Sequence, residues 1–148
     1  MIIERFDLTF IRFCRRLSVP FARLGLFVIF FWFGALKVLG LSPATPLVEH
    51  LFEQTVPFMT FSLFIVLFGL FECLIGLLFL FRGVERVVIP MLAFHMVTTL
   101  MPLFLLAEET WSGFMVPTLE GQYIIKNLAL IAAAIVIVAH MHPMNAKR

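Results

Sequence analysis

The sequence predicts an all-α fold, an integral membrane four-helix bundle preceded by an N-terminal amphipathic interfacial helix, and three observations carry that prediction. Of the 148 residues, 62% are hydrophobic and only 14% charged, with a mean hydropathy of +1.07, too apolar for a soluble domain that must cover its core with polar side chains. Four apolar runs, each near the ~20 residues an α-helix needs to cross ~30 Å of hydrocarbon, take up most of the chain. Basic residues gather in alternate connections between those runs, as expected of a chain that crosses a membrane repeatedly. Membrane-barrel strands would be shorter and would alternate in polarity, so the spans are helices. No Ser-rich, Gln-rich or charge-block linker divides residues 1–148, which read as a single domain.

The first element, residues 1–18, places Ile3, Phe6, Phe10, Phe13 and Leu17 three or four apart, with arginines and acids on the other face. This is an interfacial helix whose Arg5, Arg12 and Arg16, with Arg23 beyond it, meet anionic headgroups; docking on its own bundle is the alternative. Ser18 and Pro20 are expected to break the chain before it turns inward. The length and patterning of this basic stretch are unlike a cleaved signal peptide. The spans follow over about 24–41, 57–81, 87–107 and 122–140. Between them, "SPATP" and "EETWSGFMVP" read as wet loops and "RGVER" as a short turn.

With four spans, Arg5, Arg12, Arg15, Arg16, Arg23, Arg82, Arg86, Lys147 and Arg148 all fall on one side, which should be cytoplasmic. The first and third connections hold no Lys or Arg but carry Glu49, Glu53, Glu108, Glu109 and Glu120. Both termini are therefore predicted inside. The expected partners are membrane lipids, a protein of a membrane complex, or further copies of the chain, and no nucleic acid. Cys14 and Cys73 are too far apart to pair and form no C-x-x-C, which disfavours thiol–disulfide exchange. With two separated cysteines and scattered histidines, no metal-ligand spacing is present.

What remains is a set of polar side chains at membrane depth. At ~1.5 Å per residue, Lys37 and Lys126 lie about 6 Å inside the outer ends of their helices, and Glu72 and His95 nearer the midplane. Helical spacing puts Lys37 on a face with Gly34; Glu72 with Gly69, Cys73 and Gly76; His95 with Thr98, Thr99 and Pro102; and Lys126 with Gln122, Ala129 and Ala133. Small and polar residues line helix contacts in membranes, so these four are expected to converge in a polar pocket in the outer half of the bundle. A lone charge there would neutralise itself, so Lys37 is balanced by Glu72 from below or by Glu49, Glu53 and Glu120 from the loops, and Glu72 is either paired or protonated.

The stretches "ARLGLFVIFFWFGALKVLG", "FECLIGLLFLF" and "EGQYIIKNLALIAAAIVIVAH" resemble segments of the DoxX-like superfamily of small four-helix membrane proteins, in particular its YkgB-type branch (domain of unknown function 417). In that pattern an Arg opens the first helix, G-x-x-K closes it, an acid followed by a small residue marks the second, and G-x-x-x-x-K-[DN] opens the fourth. The matching residues are Arg23, Gly34 with Lys37, Glu72 with Gly76, and Gly121 with Lys126 and Asn127. The resemblance implies a bacterial cytoplasmic-membrane protein associated with redox and oxidative-stress physiology, some relatives being linked to quinone-reducing sulfur oxidation.

Three functions are set against a purely structural role for these charges, in which they only anchor and orient helices. One is a redox-linked component: a quinone enters from the bilayer, its carbonyl oxygens meet Lys37 and Lys126, and Glu72 or His95 exchanges protons, with electrons supplied by a partner. Trp32 and Asn127 belong to the same expected pocket, Trp32 as a ring on which a quinone could stack, with core packing as its alternative. Haem ligation by His95 is a second cofactor reading, although His140 and His142 lie too far along the bundle to complete an axial pair. The other functions are a non-enzymatic subunit or assembly factor, and a proton-coupled transporter, for which Pro102 offers the one helix break.

Overall fold

A computed structural model describes residues 2–141, with side chains from Arg5 onward; His142, Lys147 and Arg148 lie outside the described residues. Helix α1 runs Ile2–Val38 and α2 Thr45–Thr55; α3 covers Phe61–Leu80 and α4 Glu85–Leu100, continued past Met101 by the single turn α5, Pro102–Leu105. A short α6, Ala107–Thr110, leads into an antiparallel pair, β1 Trp111–Gly113 and β2 Val116–Pro117. Then α7, Leu119–Ile125, meets α8, Asn127–Ala139, at Lys126. Four stretches are long and apolar enough to cross a membrane: Arg5–Val38, Phe61–Leu80, Glu85–Leu105 and Leu119–Ala139. They overlap the four predicted runs, the first beginning well before residue 24, and give an all-α arrangement consistent with a multi-pass membrane protein.

The first element departs from expectation. The chain does not break at Ser18 and Pro20: α1 is continuous, with Pro20 inside it. A proline removes the N–H that would reach back to the carbonyl of residue 16 and its ring crowds that carbonyl, and here Arg16 and Pro20 are exposed, so the carbonyl can tilt outward and be satisfied from outside the fold. At ~1.5 Å per residue α1 is about 55 Å long, well beyond the ~30 Å of a hydrocarbon core. Its N-terminal half carries exposed Phe6, Phe10, Phe13 and Leu17, so it is not docked on its own bundle.

The core follows helical spacing. Leu26 and Phe30 of α1, Ile75 and Phe79 of α3, Val88, Leu92 and Met96 of α4, and Ala134 and Ile137 of α8 form one buried cluster. The α1–α3 contact is the most extensive, and three glycines explain how close it is. A Cβ on Gly34 would lie 2.5 Å from the carbonyl oxygen of Gly69; one on Gly69, 2.7 Å from that of Gly34; one on Gly76, 2.7 Å from the backbone nitrogen of Phe31. Backbones meet where these side chains are missing, the small-residue contact that substitutes for a hydrophobic driving force in lipid.

The connections hold more structure than loops. Pro46 sits in the first turn of α2, where its missing N–H costs nothing, and α2 buries Phe52 against the rings of Phe61 and Phe64. In the third connection Gly121 approaches Thr110 so closely that a Cβ would fall 2.1 Å from the Thr110 carbonyl oxygen. That contact packs the start of α7 against Thr110.

Gly34→Ala should lower the thermal stability of the purified protein by about 1–3 kcal/mol, because the added methyl collides with backbone that cannot rotate away. Gly25→Ala, where a Cβ would meet nothing within 4 Å, is the matched control and should leave the melting temperature unchanged or raise it slightly.

Candidate functional site

Three spans each place one polar side chain on their inward face. On α1 the buried positions are Leu26, Phe30, Gly34 and Lys37; on α3, Gly69, Glu72, Ile75, Gly76 and Phe79; on α4, Val88, Leu92, His95 and Met96. Lys37, Glu72 and His95 thus occupy the same stripes as the apolar core, and they are only 7%, 4% and 3% exposed. The glycine contact allows this: a Cβ on Gly69 would come within 3.0 Å of the Lys37 Cβ, so that glycine leaves room for the lysine stem.

The three side chains form one hydrogen-bonded unit. Lys37 Nζ donates to Glu72 Oε2 at 2.6 Å, and Glu72 Oε1 lies 2.8 Å from His95 Nε2. The other ring nitrogen, Nδ1, is 3.1 Å from the Thr99 hydroxyl. Around this unit the wall is aromatic: Phe68 stacks on the imidazole at 5.2 Å and 7°, Phe30 meets it edge-on at 5.2 Å, and the Lys37 ammonium stands 5.6 Å from the centre of the Phe68 ring. A carboxylate bonded on both oxygens by a cation and an imidazole is electrically balanced without water, which such burial demands. Chemically, the unit can hold or pass a proton between Glu72 and His95.

The expected convergence is therefore met by Lys37, Glu72 and His95, and not by Lys126. The last span buries Gly121, Ile124, Ala134 and Ile137, and Lys126, about 200° around the helix from Ile124, is exposed with its ammonium 4.7 Å from the Tyr123 ring centre. Gln122 and Ala129 share that exposure. Asn127 is half-buried at the start of α8, and Trp32 is 62% exposed on the side of α1 away from Phe30 and Gly34, facing out of the bundle. Arg5, Arg12 and Arg16 are exposed along the projecting half of α1. His140 ends α8, its Nδ1 donating to the Val136 carbonyl at 2.8 Å, far from His95.

Arg23 has a different place from that expected of a headgroup contact. It donates to the carbonyls of Phe79 at 3.1 Å and Phe81 at 2.9 Å, capping the end of α3, and pairs with Glu85 at the start of α4. A cavity of about 230 Å³ opens beside it, with Glu85, Arg86 and His140 among its lining residues.

Two features at the Lys37 end were not anticipated. A column of rings descends from α2 to the buried unit: Phe52 to Phe64 at 4.9 Å, Phe64 to Phe68 at 5.5 Å, Phe68 to His95 at 5.2 Å. Spacing of four between Phe64 and Phe68 was visible in the sequence, but with 19 phenylalanines it carried no distinguishing weight. On the surface, His50 of α2 pairs with Glu109 of α6 at 3.0 Å. The hydrogen bond to the Glu109 carboxylate and its negative charge, helped by Glu53 and Glu49, hold the His50 imidazole above its ordinary range.

Glu72→Gln should destabilise the protein by about 3–5 kcal/mol in a reversible unfolding assay, since it leaves the Lys37 ammonium buried without a counter-charge. Adding Lys37→Met should recover a large part of that loss, a non-additivity that exposed pairs do not show. The His50 pair makes a separate, pH-dependent prediction. A raised value in the fold means that its contribution is complete below the unfolded value and is lost as pH rises through the folded one. Corrected for intrinsic rate, amide exchange in α2 should accelerate as pH rises above about 6.5, and Glu109→Gln should remove most of that pH dependence.

The chain matches no protein-family model, and neither the curated proteins nor the solved structures contain a significant match to it.

Proposed function

We propose that this is a small bacterial inner-membrane protein of DoxX-like type in which a lipid-soluble redox ligand, a quinone, meets the Lys37–Glu72–His95 unit. The observation supporting this reading is the unit itself: a cation, a carboxylate and an imidazole hydrogen-bonded in series, desolvated within a membrane-spanning bundle and walled by Phe30 and Phe68. Reducing a quinone to its quinol takes up two electrons and two protons. The ammonium stabilises negative charge developing on a carbonyl oxygen, and the Glu72–His95 pair supplies one of the two protons, the second coming from the aqueous side. Of the three N–H bonds of Lys37, Glu72 takes one, which leaves donor capacity for a ligand oxygen. Electrons come from a partner protein. The basic connections, with Arg82 and Arg86, face the cytoplasm in this arrangement, and the Lys37 end faces outward.

A soluble quinol analogue, added in about 100-fold excess over its Kd, should raise the wild-type melting temperature by several degrees and leave that of Lys37→Ala unmoved, each against its own ligand-free value. Equal responses would remove the quinone and leave the alternative of a non-enzymatic subunit or assembly factor. For that role the exposed apolar stripe of α1, Phe6, Phe10, Phe13 and Leu17, is the natural contact.

A further inference from the structure

Thr99 lies one turn beyond His95 on α4, and its hydroxyl oxygen has two neighbours: His95 Nδ1 at 3.1 Å and the His95 backbone carbonyl oxygen at 2.8 Å. A hydroxyl has one hydrogen to give and lone pairs to receive, so it can donate to only one of them at a time. Each choice defines a protonation state of the unit. When the Thr99 hydrogen points at Nδ1, that nitrogen is the acceptor, Nε2 carries the ring hydrogen and donates it to Glu72, and the imidazole is neutral. Lys37 and Glu72 then cancel, and the unit has no net charge.

Adding one proton to His95 gives the second state. Nε2–H still donates to Glu72, Nδ1–H now donates to the Thr99 oxygen, and the Thr99 hydrogen turns to the His95 carbonyl. No heavy atom has to move, and no ring nitrogen, carboxylate oxygen or hydroxyl loses its partner. In a site this dry that is the decisive property, because a buried N–H without an acceptor is costly. Back-bonding of Thr to the carbonyl four residues earlier is common in helices and would by itself explain one of the two contacts. Thr98 shows the difference: it also donates to the His95 carbonyl, at 2.8 Å, and makes no bond to the ring.

We infer that Thr99 is a positioning residue that makes the Lys37–Glu72–His95 unit a one-proton store, its hydroxyl turning between the His95 ring and the His95 carbonyl as the proton arrives and leaves. Among the described residues, the charged or titratable groups facing His95 are Glu72 of α3 and, through it, Lys37 of α1; α5 brings none, and Tyr123 and Lys126 of the last span are exposed. The remaining neighbours are the rings of Phe30, Phe68 and Phe71. The inference deepens the reading above by giving the proton-exchanging group a mechanism, yet no quinone enters its test, so either can fail without the other.

The test is nitrogen-15 NMR of histidine-labelled full-length protein in lipid nanodiscs, with the His95 signals assigned by their loss in His95→Gln. Across a pH series on the folded protein the wild type should show two ring forms, a neutral one protonated on Nε2 with the Nδ1 shift of a hydrogen-bonded acceptor, and a charged one protonated on both nitrogens. At a fixed acidic pH, Thr99→Val should lower the ratio of charged to neutral ring about tenfold, the cost of stranding one N–H. Thr99→Ser and Thr98→Val should behave as the wild type. Equal ratios in wild type and Thr99→Val would overturn the inference. If the valine variant does not fold, the wild-type spectrum decides alone: an unbonded Nδ1, or a ring that never charges before unfolding, overturns it too.

Discussion

The Glu72 carboxylate is the point on which the bundle turns. Its two oxygens are shared between α1, through Lys37, and α4, through His95, so a single side chain of α3 ties three spanning helices together. Each partner would be untenable alone. A charge within a spanning helix is costly, reaching roughly 2.5–3.5 kcal/mol at the centre on insertion scales and less towards the ends, where Lys37 lies. Together they are balanced, and the balance holds only while the helices keep their rotation and depth. Replacing one partner is therefore a different perturbation from replacing all of them by apolar residues, which buried ion pairs often tolerate.

A second charged contact does comparable work at the other end. Arg23, about 21 Å along α1 from Lys37, takes the last carbonyls of α3 and the Glu85 carboxylate that opens α4. The same three helices are thus joined by ionic contacts at two depths, with Leu26, Phe30, Ile75, Phe79, Val88 and Leu92 filling the space between. The last span has no such tie to the buried unit: it enters the core through Ala134 and Ile137 and packs at its start against Thr110 through Gly121. This explains why Lys126 could be turned outward without leaving a charge stranded, whereas Lys37 could not.

How much of this was legible follows from which forces act locally. The spans were readable because the hydrocarbon thickness dictates their length, and the α1–α3 contact because Gly34, Gly69 and Gly76 recur on the faces that carry Lys37 and Glu72. His95 could be placed with them because it is polar within an apolar run. Lys126 looked equivalent by the same criterion, and failed because helix rotation is set by packing against the neighbouring helices, which no spacing within 122–140 encodes. Pro20 misled in the opposite way: a residue that usually ends a helix is tolerated where the carbonyl it crowds and frees is exposed and can tilt outward, and α1 passes through it. Helix α2 was hidden by its composition, since an 11-residue segment with Pro46 and two glutamates reads as a polar connection until Phe52 is seen to have a pocket among Phe61 and Phe64.

That pocket gives α2 a mechanical relation to the buried unit. Phe52, Phe64, Phe68 and His95 are in ring contact one after another, and the packed interior between them has little freedom to deform smoothly. Phe68, at the end of this column, is the ring that covers both the imidazole and the Lys37 ammonium, so α2 is linked to the buried unit through packed side chains. The exposed His50–Glu109 pair also links α2 to α6, and as a solvated contact it adds little beside the packing of Phe52. The polar contacts thus differ with depth: the buried Lys37–Glu72–His95 unit fixes α1, α3 and α4 relative to one another, whereas the solvated His50–Glu109 pair adds a smaller, pH-dependent contribution to an element already seated by Phe52.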